Sequence, residues 1–154
     1  MTLKILTNPN QLLRQKSATI EKEEILSSDF QNFLKDLTQT MLEFDGAGIA
    51  APQVGVSKKA IVVNTENGPR IFLNPKIVFK SFSRNILEEG CLSVPGVFGQ
   101  VKRSKKIWIK YQDENNAWHR ERCDTYLSRV LQHEYDHLNG VLFIDKVINK
   151  KNNF

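Results

Sequence analysis

The chain has 154 residues, 40% hydrophobic and 25% charged, a balance that fits one globular domain and excludes a disordered or low-complexity protein. No apolar run approaches the ~20 residues of a membrane span, and Met1 to Leu6 lack the features of a secretory leader, so no membrane association and a cytoplasmic location are expected. Net charge is +5, from 22 Lys+Arg against 17 Asp+Glu; the basic residues are scattered in small groups such as Lys102 to Lys106, which reads as a solvated surface with no specific nucleic-acid site.

Taken in chain order, residues 1–20 read as extended or loop, with a short helical turn around Gln11 to Arg14. A first helix follows Ser27-Ser28. Phe30, Phe33, Leu34, Leu37, Met41 and Phe44 form one apolar stripe at helical spacing, Ser is a good N-cap, and Gly46 is the expected stop. This stripe is core. The segments Ala60–Val63, Arg70–Leu73, Lys76–Phe79 and Ile107–Tyr111 are short and rich in β-branched and aromatic residues, as strands are. Asp113 to Asn116 is a hairpin loop between Lys106–Tyr111 and Ala117–Arg122. A second helix starts near Asp124-Thr125 and runs to Gly140 as its C-cap. Val141–Ile144 reads as a last short strand. Helix, strands and helix in this order predict one α+β domain over residues 1–154, with antiparallel or mixed sheets packed around the C-terminal helix.

That second helix carries the chemistry. His133-Glu134-Tyr135-Asp136-His137 is an HExxH segment. Positions i and i+4 share one helix face, so both imidazoles can meet one ion. Glu134 then reaches the edge of the same site and can take a proton from a metal-activated water. Two His leave a catalytic metal one protein ligand short. Cys91, Cys123, His119 and the carboxylates are the candidates. Cys123 reads as buried and His119 as solvent-facing. Cys91 lies in Glu89-Gly90-Cys91-Leu92-Ser93-Val94-Pro95-Gly96, a constrained turn, and is favoured modestly. Gly46-Ala47-Gly48-Ile49-Ala50-Ala51-Pro52-Gln53 follows the first helix. Its small residues allow close approach of a ligand or a strand.

Together these segments resemble the peptide deformylases. That family has three motifs in this order: GxGxAAxQ, filled here by Gly46, Gly48, Ala50, Ala51 and Gln53; EGCxS, filled by Glu89, Gly90, Cys91 and Ser93; and QHExDH, filled by Gln132, His133, Glu134, Asp136 and His137. The resemblance implies an α+β fold and one divalent metal held by Cys91, His133 and His137. The ion would be Fe2+, with Zn2+, Ni2+ or Co2+ as possible occupants. It implies removal of formate from the N-formyl-methionyl end of nascent polypeptides. Metal-bound water would attack the formyl carbon, with Glu134 as general base and acid. The Gln53 amide and the Leu92 backbone N–H would hold the oxyanion. Gly46, Gly48 and Ile49 would bind substrate, and a methionine pocket would be lined by Ile49, Leu87, Tyr126, Val130 and His133. Glu89 and Arg103 would orient the site as a pair. A monomer with transient ribosome contact is the expected state.

The chain departs from the family pattern at Ile49 for Leu, Lys102 for Pro, and Phe98 where some members are basic. It also has a short ending, Asn149 to Phe154, where some members carry a longer helix used at the ribosome. HExxH by itself also permits a metallopeptidase, or a closed structural metal site.

Overall fold

A computed structural model of the chain describes residues 1–148. The short ending contrasted above, 149–154, lies outside the described residues. A 3-10 turn at Gln11–Arg14 comes first, as expected, and is followed by α1 (Lys22–Ile25), which the sequence did not announce. Helix α2 (Ser28–Glu43) has Ser27 as its N-cap, accepting the Phe30 N–H at 3.2 Å. Phe30, Leu34, Leu37 and Met41 are buried along it. Its stop comes one residue earlier than expected. Asp45, not Gly46, takes the left-handed conformation (φ 54°), and the Gly46 N–H bonds the Met41 carbonyl at 2.9 Å. This is a Schellman ending. Phe44 falls at the helix end and is half exposed, so it leaves the apolar stripe.

Seven strands follow among the described residues: β1 (Gly48–Ala50), β2 (Ala60–Thr65), β3 (Gly68–Lys80), β4 (Arg84–Cys91), β5 (Val94–Ser104), β6 (Lys106–Gln112) and β7 (Trp118–Asp124). They pair antiparallel throughout, as a five-stranded sheet in the order β1-β2-β3-β6-β7 and a separate β4-β5 hairpin. The segments expected as two strands, Arg70–Leu73 and Lys76–Phe79, form one strand with a register shift between them. Asn74 at the shift has φ 47°, and its side chain bonds both the N–H and the carbonyl of Ile20 at 2.8 Å. That anchorage lets the strand bulge without ending.

Helix α3 (Thr125–Leu138) closes the fold. Gly140 is the left-handed residue after it, with φ 72°, and a Cβ there would sit 2.3 Å from the Arg14 carbonyl oxygen. Only glycine fits. The expected strand at Val141–Ile144 is instead a 3-10 turn, Phe143–Asp145, because the Asp145 carboxylate accepts the Leu142 N–H at 3.1 Å and curls the chain.

Strand alternation then explains the packing. Ile49, Val62 and Leu73 face α2, while Ala50, Ile61, Val63, Phe72, Ile107 and Ile109 face α3. The sheet start lies between the two helices. The β4-β5 hairpin rests on a third cluster built from Leu13, Val94, Val101, Phe143 and Val147. This places the end of β4 against the inner face of α3.

Candidate metal centre

The donor atoms of Cys91, His133 and His137 all lie within 4.8 Å of one another. Cys91 Sγ is 3.3 Å from His137 Nε2. The two histidines come from one face of α3, four residues apart. Cys91 arrives from the hairpin, where Cys91 pairs with Val94 across the Leu92-Ser93 turn. Within the hairpin, Gly90 of β4 leaves room for the Phe98 ring of β5, from which a Cβ would lie only 2.7 Å. The two other candidates stay apart from this cluster. Cys123 is buried in the sheet core, where burial pushes its thiol up to about 12. His119 is exposed, stacked on Tyr111 and 2.6 Å from Asp113.

The surroundings prepare the imidazoles as ligands. His133 Nδ1 is 2.8 Å from Glu89 Oε1, which directs its Nε2 toward Cys91 and His137. Burial opposes a charge on His133, but hydrogen bonds with Cys91 and Glu89 outweigh it and push its pKa up to about 10 in the metal-free chain. Burial first, then the neighbouring His133 and Arg103 charges, hold His137 well below its ordinary value. His137 is therefore neutral, as a ligand must be.

Glu89 is the hub of this shell. It takes Arg103 through two bonds of 3.0 Å and Arg129 Nη1 at 2.5 Å. Arg103 reaches on to Asp136 at 2.6 Å, and Asp136 meets Lys146 at 3.0 Å. The expected Glu89–Arg103 pair is thus part of a longer chain of charges. Arg129 and Asp136 had been given no role from sequence. Arg129 stands four residues before His133 on the same helix face, and that i, i+4 spacing to a metal-ligand candidate is the available signal.

Glu134 is buried, and its Oε2 has no hydrogen-bond partner among the described residues. Burial pushes its carboxyl up to about 7. Gly48 makes room for it: a Cβ there would lie 3.0 Å from Glu134 Oε1 and 2.9 Å from Val130. Gln53 is fixed by the Ala50 N–H, which its Oε1 accepts at 2.9 Å. Its Nε2 consequently points to Cys91 Sγ at 3.6 Å and Ser93 Oγ at 3.1 Å.

A cleft of about 940 Å³ opens over these groups, lined by Gly46, Gly48, Gln53, Leu92, His133 and Glu134 among others. Leu87, Phe98, Tyr126 and Val130 give it apolar walls. Ile49 is placed differently from expectation. Its side chain is fully buried against α2, because strand alternation turns it away from the cleft that Gly48 faces. Only its backbone is left for substrate.

A cysteine sulfur and two imidazoles converging beside a buried carboxyl with an unpartnered oxygen is a donor set for a metal that activates water, and it places the molecule among metal-dependent hydrolases. The polypeptide deformylase family model matches residues 2–153. A peptide deformylase of Pseudothermotoga lettingae is 45% identical, over 94% of this chain and 81% of that protein. The crystal structure of peptide deformylase from Thermotoga maritima superposes with a TM-score of 0.92 at 36% identity, covering 97% of this chain and 99% of that one. A Met-Ala-Ser-bound peptide deformylase from Acinetobacter baumannii superposes at 0.91 with 32% identity, covering 96% and 99%. The chain belongs to the polypeptide deformylase family, metal-dependent hydrolases that remove the formyl group from the N-terminal methionine of new polypeptides.

Proposed function

We propose that this chain deformylates N-formyl-methionyl polypeptides through one catalytic domain, with Glu134 as general base and acid. The observation that carries the reading is the buried Glu134 carboxylate, unpartnered at Oε2, on the same helix as two of three converging metal donors. Cys91, His133 and His137 would hold one divalent ion, which when bound supplies Lewis acidity, lowering the pKa of water and polarising the formyl oxygen.

The protein's own groups do the rest. Glu134 takes a proton from the attacking water and returns it to the departing nitrogen as the C–N bond breaks. Its raised pKa, about 7, suits both directions of transfer near neutrality. The Gln53 amide, locked by Ala50, and the Leu92 N–H at the hairpin turn donate to the developing oxyanion. Gly46, Gly48 and the Ile49 backbone leave an open edge along which substrate backbone can pair. Leu87, Tyr126, Val130 and His133 form the methionine pocket. The Met-Ala-Ser ligand of the Acinetobacter relative supports a site of this length and polarity.

The donor set of one thiolate and two imidazoles accepts Fe2+, Zn2+, Ni2+ or Co2+. Fe2+ is proposed as the native ion, on the family resemblance. The same reading carries a cytoplasmic, monomeric enzyme in transient contact with the ribosome, because its substrate is a chain still being made. The test is formate release from formyl-Met-Ala-Ser by anaerobically prepared, iron-loaded protein, with metal analysis of the same sample. Turnover with formate as product is expected. Absence of formate, or cleavage of unformylated peptides instead, rejects the reading.

A further inference from the structure

The five-stranded sheet has a helix on both faces only over its first strands. Ile107, Ile109 and Tyr111 of β6 turn toward α3, so Lys106, Trp108 and Lys110 point to the opposite side and are exposed. The register sets Arg122 opposite Trp108, Arg120 opposite Lys110 and Trp118 beside Gln112. On the other flank it sets Phe79 opposite Trp108 and Lys76 opposite Lys110. This outer face therefore gathers Lys76, Lys106, Lys110, Arg120 and Arg122 around three aromatics. One carboxylate, Asp124, stands at its edge, 3.1 Å from Arg122. Among the described residues none of the four other cations forms an ion pair.

Both tryptophans of the chain lie here, Trp108 at 39% and Trp118 at 55% exposure. With Phe79, also exposed, they make an aromatic surface set among cations, which distinguishes this face from a singly exposed side chain. They stand about four residues apart along the ladder, roughly 13 Å, with the Lys110–Arg120 cation pair between them. Lys110 Nζ sits 4.8 Å over the Trp118 ring, so this cation and this aromatic lie within reach of one ligand.

We propose that this face binds RNA without sequence selectivity. Aromatic, cation pair, aromatic is the arrangement in which bases stack and the intervening phosphates are neutralised. A second copy of the chain is disfavoured as the occupant, since the face would set its cations against themselves. An acidic protein would use the cations but has no need of the two indole surfaces. The face lies across the sheet from α3, so bound RNA leaves the substrate cleft open. The sequence showed only scattered basic residues because strand pairing, not adjacency, brings them together.

The two tryptophans report on the site directly. The metal-loaded protein is titrated with an RNA of about 20 nucleotides while indole fluorescence is followed. Saturable quenching that weakens as salt rises is expected. Trp118→Ala, and separately Lys110→Gln with Arg120→Gln, should bind about tenfold or more weakly while formate release is unchanged. Lys16→Gln with Lys102→Gln, which removes the same charge from other surfaces, should stay within about twofold. The proposal is overturned by an absence of quenching or by an equal loss in the Lys16/Lys102 control. Stronger binding of polyglutamate or of anionic lipid vesicles overturns it too, by identifying a different partner.

Discussion

Glu134 shows how one residue's neighbours set its chemistry. Its pKa is raised to about 7 by burial, and the backbone of Gly48 is what lies against it. Glu134→Ala should lower turnover on a formyl-Met peptide by about 10²–10⁴-fold with one metal per chain retained, since Cys91, His133 and His137 are untouched. Retained turnover would remove Glu134 from its role. Gly48→Ala addresses the same carboxylate from the opposite wall. The new Cβ would meet Glu134 Oε1 at 3.0 Å and Val130 at 2.9 Å, so the carboxylate must shift. The side chains must give by a few tenths of an ångström, less than the ~1 Å misplacement that can cost about 10²-fold, so a rate loss of about 3- to 10-fold is expected, with an unchanged fold by circular dichroism. A Gly48→Ala enzyme of full activity would mean that the contact yields without moving Glu134. Residues such as Glu134 and His137 were legible in the sequence because the spacing that joins them is local. Ser93, which receives the Gln53 amide at 3.1 Å, was read only as a motif letter, since its partner is set by tertiary folding.

At the scale of elements, the difference between α3 and the β4-β5 hairpin is instructive. Helix α3 was readable from its apolar spacing and its Gly140 stop. The hairpin was read only as a Gly- and Pro-containing turn, because Ile86, Leu87 and Phe98 are exposed on it and period-two alternation does not stand out. Buried charge binds the hairpin to α3 beside the Ser128 and Gln132 bonds to Ser104: Glu89 of β4 accepts from Arg103 of β5 and from Arg129 and His133 of α3. Burial raises the Glu89 pKa, but the hydrogen bonds from His133 and Arg103 overcome this and hold it far below the ordinary 4.5. A carboxylate depressed in the folded state stabilises the fold above its unfolded value, and that stabilisation is lost as pH falls. Glu89→Gln should therefore destabilise the metal-free protein by roughly 3–5 kcal/mol at neutral pH, leaving Arg129 and His133 without their carboxylate while Arg103 keeps Asp136. The gap from wild type should shrink below about pH 4.5. Thermal unfolding of both proteins between pH 3 and 7 checks this. Glu134 changes stability in the opposite sense, and Glu89 also helps raise the pKa of His133 and of Glu134, so the pH dependence of the gap reads the Glu89 network as a whole. A gap constant with pH would mean that the pair is not charged in the fold.

Across the whole molecule, the proposed metal donors come from parts that pack separately. His133 and His137 belong to the helix over the five-stranded sheet, whereas Cys91 belongs to the hairpin, seated on the cluster of Leu13, Val94, Val101 and Phe143. An ion held by all three ties hairpin to helix, so its binding free energy becomes folding free energy. At a free-metal concentration about 100-fold above the dissociation constant, this contributes about 2.7 kcal/mol. For a chain of this size that is a rise of roughly 5–10 °C in Tm. The Glu89 network spans the same two parts without metal, so chelation should lower Tm by that amount while leaving a single cooperative transition, and should abolish formate release. Fe2+, Ni2+, Co2+ or Zn2+ should restore the Tm, because the donor set accepts each of them. Activity with Fe2+ should then decay in air or peroxide as the thiolate-bound ferrous site oxidises, while the Zn2+ form resists. Loss of activity on chelation with no change in Tm would show that the ion serves the reaction without clamping the hairpin, whose hold on α3 would then rest on the Glu89 network, the Arg103–Asp136 pair and the bonds of Ser128 and Gln132 to Ser104.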